Sequence, residues 1–242
     1  FTGGIKSIVP GLSYYKTIRH NHKKAISEKC QPGITEGNPV WEELWKTLDL
    51  IDEKRIFSYQ LVQNSEREII GLFSGGLWES YFKAVEFCRD IYIIDLPEKC
   101  DLLIAEHSPP LDRNLYQLQK CFENTKAGLK DGGTLLMLSG CRDGIGTQDF
   151  FDLAEKYPDP EKLVNQEIKS YDLGIHKLYR TALLTNRVNL CLMSFLQDEA
   201  VRRVYIEPID DANKLVKLRV AADSDSKIII VKDAGHTVLN SG

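Results

Sequence analysis

The sequence predicts an α/β protein: a doubly wound, mostly parallel sheet in its later part, preceded by part of a second α/β domain. Three observations predict it. From Ile91 onward, short apolar runs alternate with helical stretches, the pattern of strand–helix–strand units. Runs such as 101–105 and 133–138 lack polar alternation, as strands covered on both faces do. Before Leu96 the order differs, with helices flanking one hairpin. The break at Leu96-Pro97 is therefore taken as a domain boundary, giving residues 1–95 and 96–242.

In order, residues 12–26 form a helical run that breaks, and 30–39, rich in Pro, Gly and Asn, form a loop. Val40 opens an amphipathic helix whose apolar stripe continues through Leu48 and Ile51. Residues 55–62 alternate enough for a strand, Asn64-Ser65-Glu66 signals a turn, and 68–73 complete a hairpin. Gly75-Gly76 turns the chain into a helix through Ala84 to Cys88. An apolar run follows at 91–96, a buried parallel strand at 101–105 and a helix from about 112 to 130. A strand at 133–138 precedes helices over 148–156, 161–170 and 175–184. Then come strand 188–193, helix 198–203, strand 204–207, helix 212–220 and a final strand, 227–232. There is no internal repeat.

The 242 residues carry a formal net charge of −4, with acids and bases interspersed. That balance argues against a nucleic-acid footprint and against a basic membrane-surface helix. No apolar run approaches bilayer-spanning length, and no secretory signal pattern is visible. Cys30, Cys88, Cys100, Cys121, Cys141 and Cys191 form no C-x-x-C pair and match no zinc-finger spacing. Several sit in apolar surroundings, Cys88 after Phe87 and Cys191 between Leu190 and Leu192, the setting of small buried hydrophobes in a reducing compartment. A cytoplasmic protein is expected. The chain begins at Phe1, inside a glycine-rich motif, so further sequence is expected upstream.

The candidate chemistry starts early. Gly3 and Gly4 precede Lys6, and Pro10-Gly11 follows. Paired glycines let backbone approach a bulky group, and a lysine of lowered pKa forms covalent links. His20 and His22 follow, and neutral imidazole ligates nickel, zinc, copper and iron. The plain alternative is a surface loop with a solvated lysine. Two later loops fall at expected strand ends, where open α/β sheets bind ligands. In the first, 106–114, Asp112 is placed to cap a helix bearing Tyr116, Gln117 and Lys120. Gln117 and Lys120 are three apart, so an amide and an ammonium share a face, which suits a carboxylate. From spacing alone, a solvated helix face is the reading to prefer. The second loop, 139–146, has glycines able to turn backbone amides toward an anion. His107 reads as a loop histidine, with a catalytic role as its alternative, His176 as surface or partly packed, and His236 has no assigned role.

Taken together, these residues resemble the nickel-dependent lactate racemase family along most of the chain. The resemblance is carried by G-G-x-K-x-x-x-P-G at 3–11, the Asn-His ending at His22, and Gly37-Asn38-Pro39-Val40. It continues in Pro97-Glu98-Lys99-Cys100-Asp101, in 110–120 with Pro110, Leu111, Asp112, Asn114, Tyr116, Gln117 and Lys120, in 130–133, and in Cys141-Arg142-Asp143-Gly144-x-Gly146. It implies a nickel pincer cofactor, a sulfur-modified pyridinium mononucleotide, held covalently on Lys6 behind Gly3 and Gly4, with His22 ligating nickel. Tyr116, Gln117 and Lys120 would line the substrate site, with Lys120 on the carboxylate. The implied activity is racemisation or epimerisation of a 2-hydroxy acid by hydride transfer to the cofactor and back. The implied partners are that small acid and the enzymes that build the cofactor. No nucleic acid or membrane is expected, and a homo-oligomer is allowed. The departures are the family's two proton-shuttling histidines and a carboxylate-holding arginine, which precede the G-G-x-K motif and have no counterpart here. His107-Ser108-Pro109 also replaces glycines common in relatives, which leaves the substrate open beyond lactate. Two other readings stand beside this one. One is a cofactor-free module, or an inactive fragment, that binds a small carboxylate or nucleotide. The other is a subunit completed by a separate histidine-bearing chain.

Overall fold

The computed structural model describes residues 3–168 and 171–241. The chain divides into two compact units, Phe1–Ile93 and Ile94–Gly242.

In the first unit a 3-10 turn at Gly4–Ser7 leads to α1 (Tyr15–Lys23) and α2 (Pro39–Lys46). The strands β1 (Phe57–Gln63) and β2 (Ile69–Gly76) follow, then α3 (Leu77–Tyr92). α2 starts where it does because Asn38 accepts from the Val40 and Trp41 N–H groups, with Pro39 at the first helical position. β1 and β2 pair antiparallel, with Leu61 opposite Leu72. Their turn is closed by Asn64, whose side-chain oxygen accepts from Glu66 N at 3.0 Å and Glu68 N at 2.9 Å. The alternation of β1 is inverted relative to an ordinary half-buried strand. Gln60 and Val62 are buried, while Phe57, Tyr59 and Leu61 are exposed. Gln60 is drawn inward by a bond to Gly4 N, and Ser58 by a 2.6 Å bond to Ser80 on α3. The core of this unit gathers Ile5, Leu44, Trp45, Leu77, Tyr81 and Val85.

β3 (Ile93–Leu96) leads into β4 (Cys100–Glu106), α4 (Gln119–Thr125) and β5 (Leu129–Leu138). Next come α5 (Gln148–Lys156), α6 (Pro160–Asn165), α7 (Ile175–Thr185) and β6 (Asn189–Met193). The rest is α8 (Asp198–Arg203), β7 (Glu207–Pro208), α9 (Ala212–Ala222), β8 (Ile228–Val231) and β9 (Val238–Ser241). The sheet runs β7-β6-β5-β4-β8, and every pairing in it is parallel. Leu102, Ile104 and Leu136 meet Leu215 and Val216 of α9 on one face. Leu103 and Ala105 alternate to the other face, and Cys121 of α4 donates to the Ala105 carbonyl. The sheet is thus covered on both faces, which is why its central strands are apolar throughout. Leu136 has no exposed surface and takes part in that core. Leu136→Ala should lower the unfolding free energy by about 2–5 kcal/mol, read from urea denaturation.

Several elements differ from expectation. The helix expected over 112–130 is broken into 3-10 turns at Leu111–Arg113 and Leu115–Gln117, then α4, then another turn at Lys126–Gly128. Asn114, extended at φ −152°, interrupts it. The strand expected at 204–207 shrinks to Glu207–Pro208, because Tyr205 takes φ 67° and Pro208 has no N–H to give. The apolar run at 91–96 is divided: its first two residues end α3 and the other four form β3, which pairs with the unforeseen β9 outside the main sheet. α6 ends at Asn165; Lys169 and Ser170, the end of the helix expected there, lie outside the described residues. Among the described residues no helix is long and apolar enough to cross a membrane. All six cysteines are unbridged; Cys100, Cys121, Cys141 and Cys191 are buried as expected, whereas Cys30 and Cys88 are only partly buried, so the apolar setting of Cys88 beside Phe87 does not carry it into the core.

Candidate active site

Lys6 sits within a turn held from below. Gly4 N donates to Gln60 Oε1 at 3.0 Å, and Lys6 N closes the turn on Gly3 O at 3.1 Å. Gly3 and Gly4 take φ 87° and 55°. A Cβ at Gly4 would lie 2.4 Å from Tyr81 Cδ2, and one at Gly3 would lie 2.8 Å from Gln60 Oε1. The bulky group these glycines admit is therefore the protein's own α3 and β1, and their close fit fixes the base from which Lys6 projects. The Lys6 side chain reaches solvent, yet the protein around its amine keeps it below the ordinary lysine value through desolvation.

His22 is on α1, which is fastened to α2 by one carboxylate. Glu43 takes Lys24 Nζ at 2.6 Å, Asn21 Nδ2 at 2.9 Å and His20 Nε2 at 3.1 Å. Asn21, almost fully buried, also donates to Val40 O at 3.1 Å. His20 and Lys24 therefore face α2, while His22, roughly 200° round the helix from His20, points elsewhere. Its Nδ1 lies 3.0 Å from the Ile18 carbonyl. A carbonyl only accepts, so Nδ1 carries the proton and Nε2 the lone pair, the tautomer a metal ligand needs. The turn bearing Lys6 and the helix bearing His22 both pack on α2.

The remaining predicted residues lie in the second unit. β4 has β5 on one side and β8 on the other, so the sheet order reverses between β4 and β8, where open α/β sheets take their ligands. The loops after these two strands meet there. Ala234 N donates to Glu106 O at 2.8 Å, and Asn124 Nδ2 binds Ala234 O and Gly235 O. A Cβ at Gly235 would come 3.2 Å from His107 Cδ2. The 106–114 and 139–146 loops hold each other as well: Leu115 N reaches Gly144 O, and Tyr116 N reaches Ile145 O. Gly146 allows this, since a Cβ there would lie 2.6 Å from Tyr116 Cβ. The glycines of the second loop thus serve close packing on the first.

Tyr116 and Gln117 are half-buried and Lys120 is exposed. Asn114, rather than the expected Asp112, caps this segment, accepting from Gln117 N at 3.1 Å. The ring of Tyr116 meets Phe150 edge-on at 5.5 Å, and burial raises its phenol above the ordinary value. Two further residues join this group: Lys177, which the sequence did not single out, and His107, which it read as a loop histidine. Lys177 on α7 places Nζ 3.8 Å from the Tyr116 ring centroid and donates to Tyr116 O at 2.9 Å. His107 is 2% exposed, so it is a packed residue and not merely a loop histidine. Its Nδ1 lies 3.3 Å from Ser139 Oγ, and its Nε2 has no hydrogen-bond partner among the described residues. Burial first, then the charges of Lys120 and His236, lower His107 to about 4, so it is neutral at ordinary pH. His176 is buried too, its Nδ1 2.5 Å from Tyr171 OH. His236 stays exposed against Asp233 at 3.0 Å. Nothing in the spacing linked Lys177 to Tyr116, 61 residues earlier.

Comparison with known proteins bears on what this arrangement does. Residues 97–239 match the family described as the lactate racemase C-terminal domain, and residues 1–33 match the lactate racemase N-terminal domain. A lactate racemase of Lactiplantibacillus plantarum is 30% identical over 173 residues, covering 70% of this chain and 40% of the relative. One of Thermoanaerobacterium thermosaccharolyticum is 24% identical over 247 residues, covering 99% of this chain and 58% of the relative. This chain therefore spans about half the length of the curated relatives it matches. The solved lactate racemase apoprotein from T. thermosaccharolyticum superposes with a TM-score of 0.88 at 23% identity, over 99% of this chain and 59% of that one. A Thermotoga maritima protein superposes with a TM-score of 0.53 at 15% identity, over 85% of this chain and 54% of that one. At those identities the two structures speak to the fold.

Proposed function

This chain belongs to the lactate racemase family, and from that premise we propose that it works in a racemase or epimerase of lactate-like 2-hydroxy acids whose nickel pincer pyridinium mononucleotide is carried covalently on Lys6. The observation that carries this reading is the Lys6 turn, which a glycine pair pins against Tyr81 and Gln60 while desolvation lowers the amine. An amine held that way is a better nucleophile at neutral pH than an ordinary lysine, as forming a covalent link requires.

The residues fit the group. His22 offers Nε2 with its lone pair, fixed by the Nδ1 bond to Ile18 O. Among the described residues no cluster of three or more His, Cys, Asp or Glu could hold a metal, so further ligands would come from the cofactor. When bound, that group supplies hydride acceptance and return at the alcohol carbon of the substrate. This chain's residues bind and orient. Lys120 attracts the substrate carboxylate, with Gln117 as its hydrogen-bonding neighbour, and Tyr116 lines the site. The half-burial of Tyr116 and Gln117 keeps part of the water away and strengthens those contacts. The proton-shuttling histidines implied by the resemblance have no counterpart in residues 1–242, and enzymes that build the cofactor are the implied partners.

The test is the intact mass of the native protein and of the peptide containing Lys6, made in a host that builds the cofactor and is supplied with nickel. An adduct on that peptide, absent in Lys6→Ala, is the expected result. An unmodified Lys6 in that host would sink the proposal and favour a module that binds a small carboxylate without turnover.

A further inference from the structure

The hairpin of the first unit has a face that the activity as derived so far does not use. Its inner face packs on α3, where Ser58 bonds Ser80 and the Phe73 ring meets Phe87 at 5.4 Å between centroids. Its outer face is apolar and open to water. There Phe57 is 64% exposed, Tyr59 67%, Leu61 56% and Leu72 60%. These four side chains form one patch. The Phe57 and Tyr59 rings meet edge-on at 5.3 Å, Tyr59 and Leu61 are neighbours on one face of β1, and Leu61 lies opposite Leu72. The sheet is only two strands wide, so each strand has an outer edge with no strand partner among the described residues. A lone hairpin is marginal in water, and a contiguous apolar patch on a sheet face marks a surface of contact.

The lengths of the relatives point to what covers it. Matching 99% of this chain takes up 58% of the T. thermosaccharolyticum racemase, and the superposition takes up 59% of the solved apoprotein. About two-fifths of each therefore has no counterpart in residues 1–242. The C-terminal domain family matches 97–239, nearly the whole of the second unit, whereas the N-terminal domain family matches only 1–33 of the first. The shortfall is on the side of the N-terminal domain, and the first unit is where the patch lies open.

We propose that the outer face of the β1–β2 hairpin is a docking surface for the polypeptide equivalent to that unmatched part of the N-terminal domain, which adds an apolar layer over Phe57, Tyr59, Leu61 and Leu72. This goes beyond the reading of Lys6 and does not depend on it. It does bear on the base beneath Lys6. Gln60, between Tyr59 and Leu61, points to the opposite face and accepts from Gly4 N at 3.0 Å. A layer that braces β1 from outside therefore steadies the strand that holds the lysine-bearing turn.

The experiment uses the native protein from the cells that make it, grown on photo-leucine, whose diazirine cross-links whatever lies against Leu61 and Leu72. Cross-links from these two positions to peptides outside residues 1–242 that match the lactate racemase N-terminal domain are the expected result. Hydroxyl-radical oxidation of Phe57 and Tyr59 should also be several-fold lower in the folded native protein than after unfolding in urea. Leu61→Lys should remove the cross-links from Leu72 and restore the oxidation of Tyr59. Cross-links to residues 57–72 of a second copy, to residues 94–242, or to an unrelated protein overturn the proposal. So does the absence of the expected cross-links, or a Tyr59 oxidised as readily in the folded protein as in urea. None of these outcomes touches the Lys6 reading, which stands or falls on the adduct.

Discussion

Arg180→Met is expected to lower the stability of the second unit by about 3–5 kcal/mol, seen as a lower urea midpoint. Arg180 and Glu123 are 7% and 11% exposed, and they meet as a fork, Nε to Oε1 and Nη2 to Oε2, each at 2.6 Å. Lys126 adds a third contact to Glu123 at 2.7 Å. Taking the guanidinium away leaves a buried carboxylate that has lost two charge-assisted bonds and its geometric partner. Burial alone would push Glu123 up, but the bonds to Arg180, with the charges of Arg180 and Lys126, outweigh it and hold the acid below the ordinary glutamate value. A carboxylate lowered in the folded state stabilises it above its unfolded pKa, and that contribution fades as the pH falls through the folded value. The gap between wild type and Arg180→Met should therefore be full near pH 7 and narrow below about pH 4. Glu123→Leu combined with Arg180→Met should cost less than Arg180→Met alone, since no carboxylate is then left buried. Equal stability of wild type and Arg180→Met would refute the account.

Gly4→Ala is expected to cost about 2–4 kcal/mol, summing overpacking and the left-handed backbone. The new Cβ would fall 2.4 Å from Tyr81 Cδ2 and 2.9 Å from its Cγ, at φ 55°. Tyr81 has little freedom to retreat. It is 3% exposed, takes a 3.2 Å bond from Trp41 Nε1, and meets Trp45 at 5.3 Å between ring centroids. Gly37→Ala is the control. It has φ 74° but nothing within 4 Å of the new Cβ, so it should cost only about 1–2 kcal/mol. Thermal melts of the two variants separate steric contact from backbone conformation. If both cost the same, the glycine pair is not packed tightly against Tyr81, and the base beneath Lys6 is loose.

The parallel sheet was legible because Leu102, Leu103, Leu135 and Leu136 are covered on both sides and so carry no polar alternation. Period alone served less well in β1. Alternation marks a strand but not which face is covered, and there Gln60 goes inward because a distant backbone N–H, that of Gly4, needs its oxygen. Composition likewise hid the breaks between Leu111 and Gly128, where good helix formers are overruled by the contacts of Leu115 and Tyr116 with Gly144 and Ile145. The candidate residues Lys6, His22, Tyr116, Gln117 and Lys120 came from local motifs. Lys177 and His107 did not, because their importance lies in partners far along the chain: Tyr116 for one, and Ser139 and Gly235 for the other. Spacing rules see three or four residues along a helix, not the meeting of loops at one end of a sheet.

The buried cysteines bear on how the second unit meets oxidants. Nucleophilic attack and peroxide chemistry both run through the thiolate. Burial raises Cys100, Cys121 and Cys141 above the ordinary thiol range and Cys191 to about 11. At neutral pH these four side chains are essentially all thiol, with almost no thiolate for an electrophile to find. While the fold holds, alkylating agents and mild peroxide should leave these four cysteines unmarked, and the appearance of label on their sulfurs would report unfolding more directly than any change in redox state.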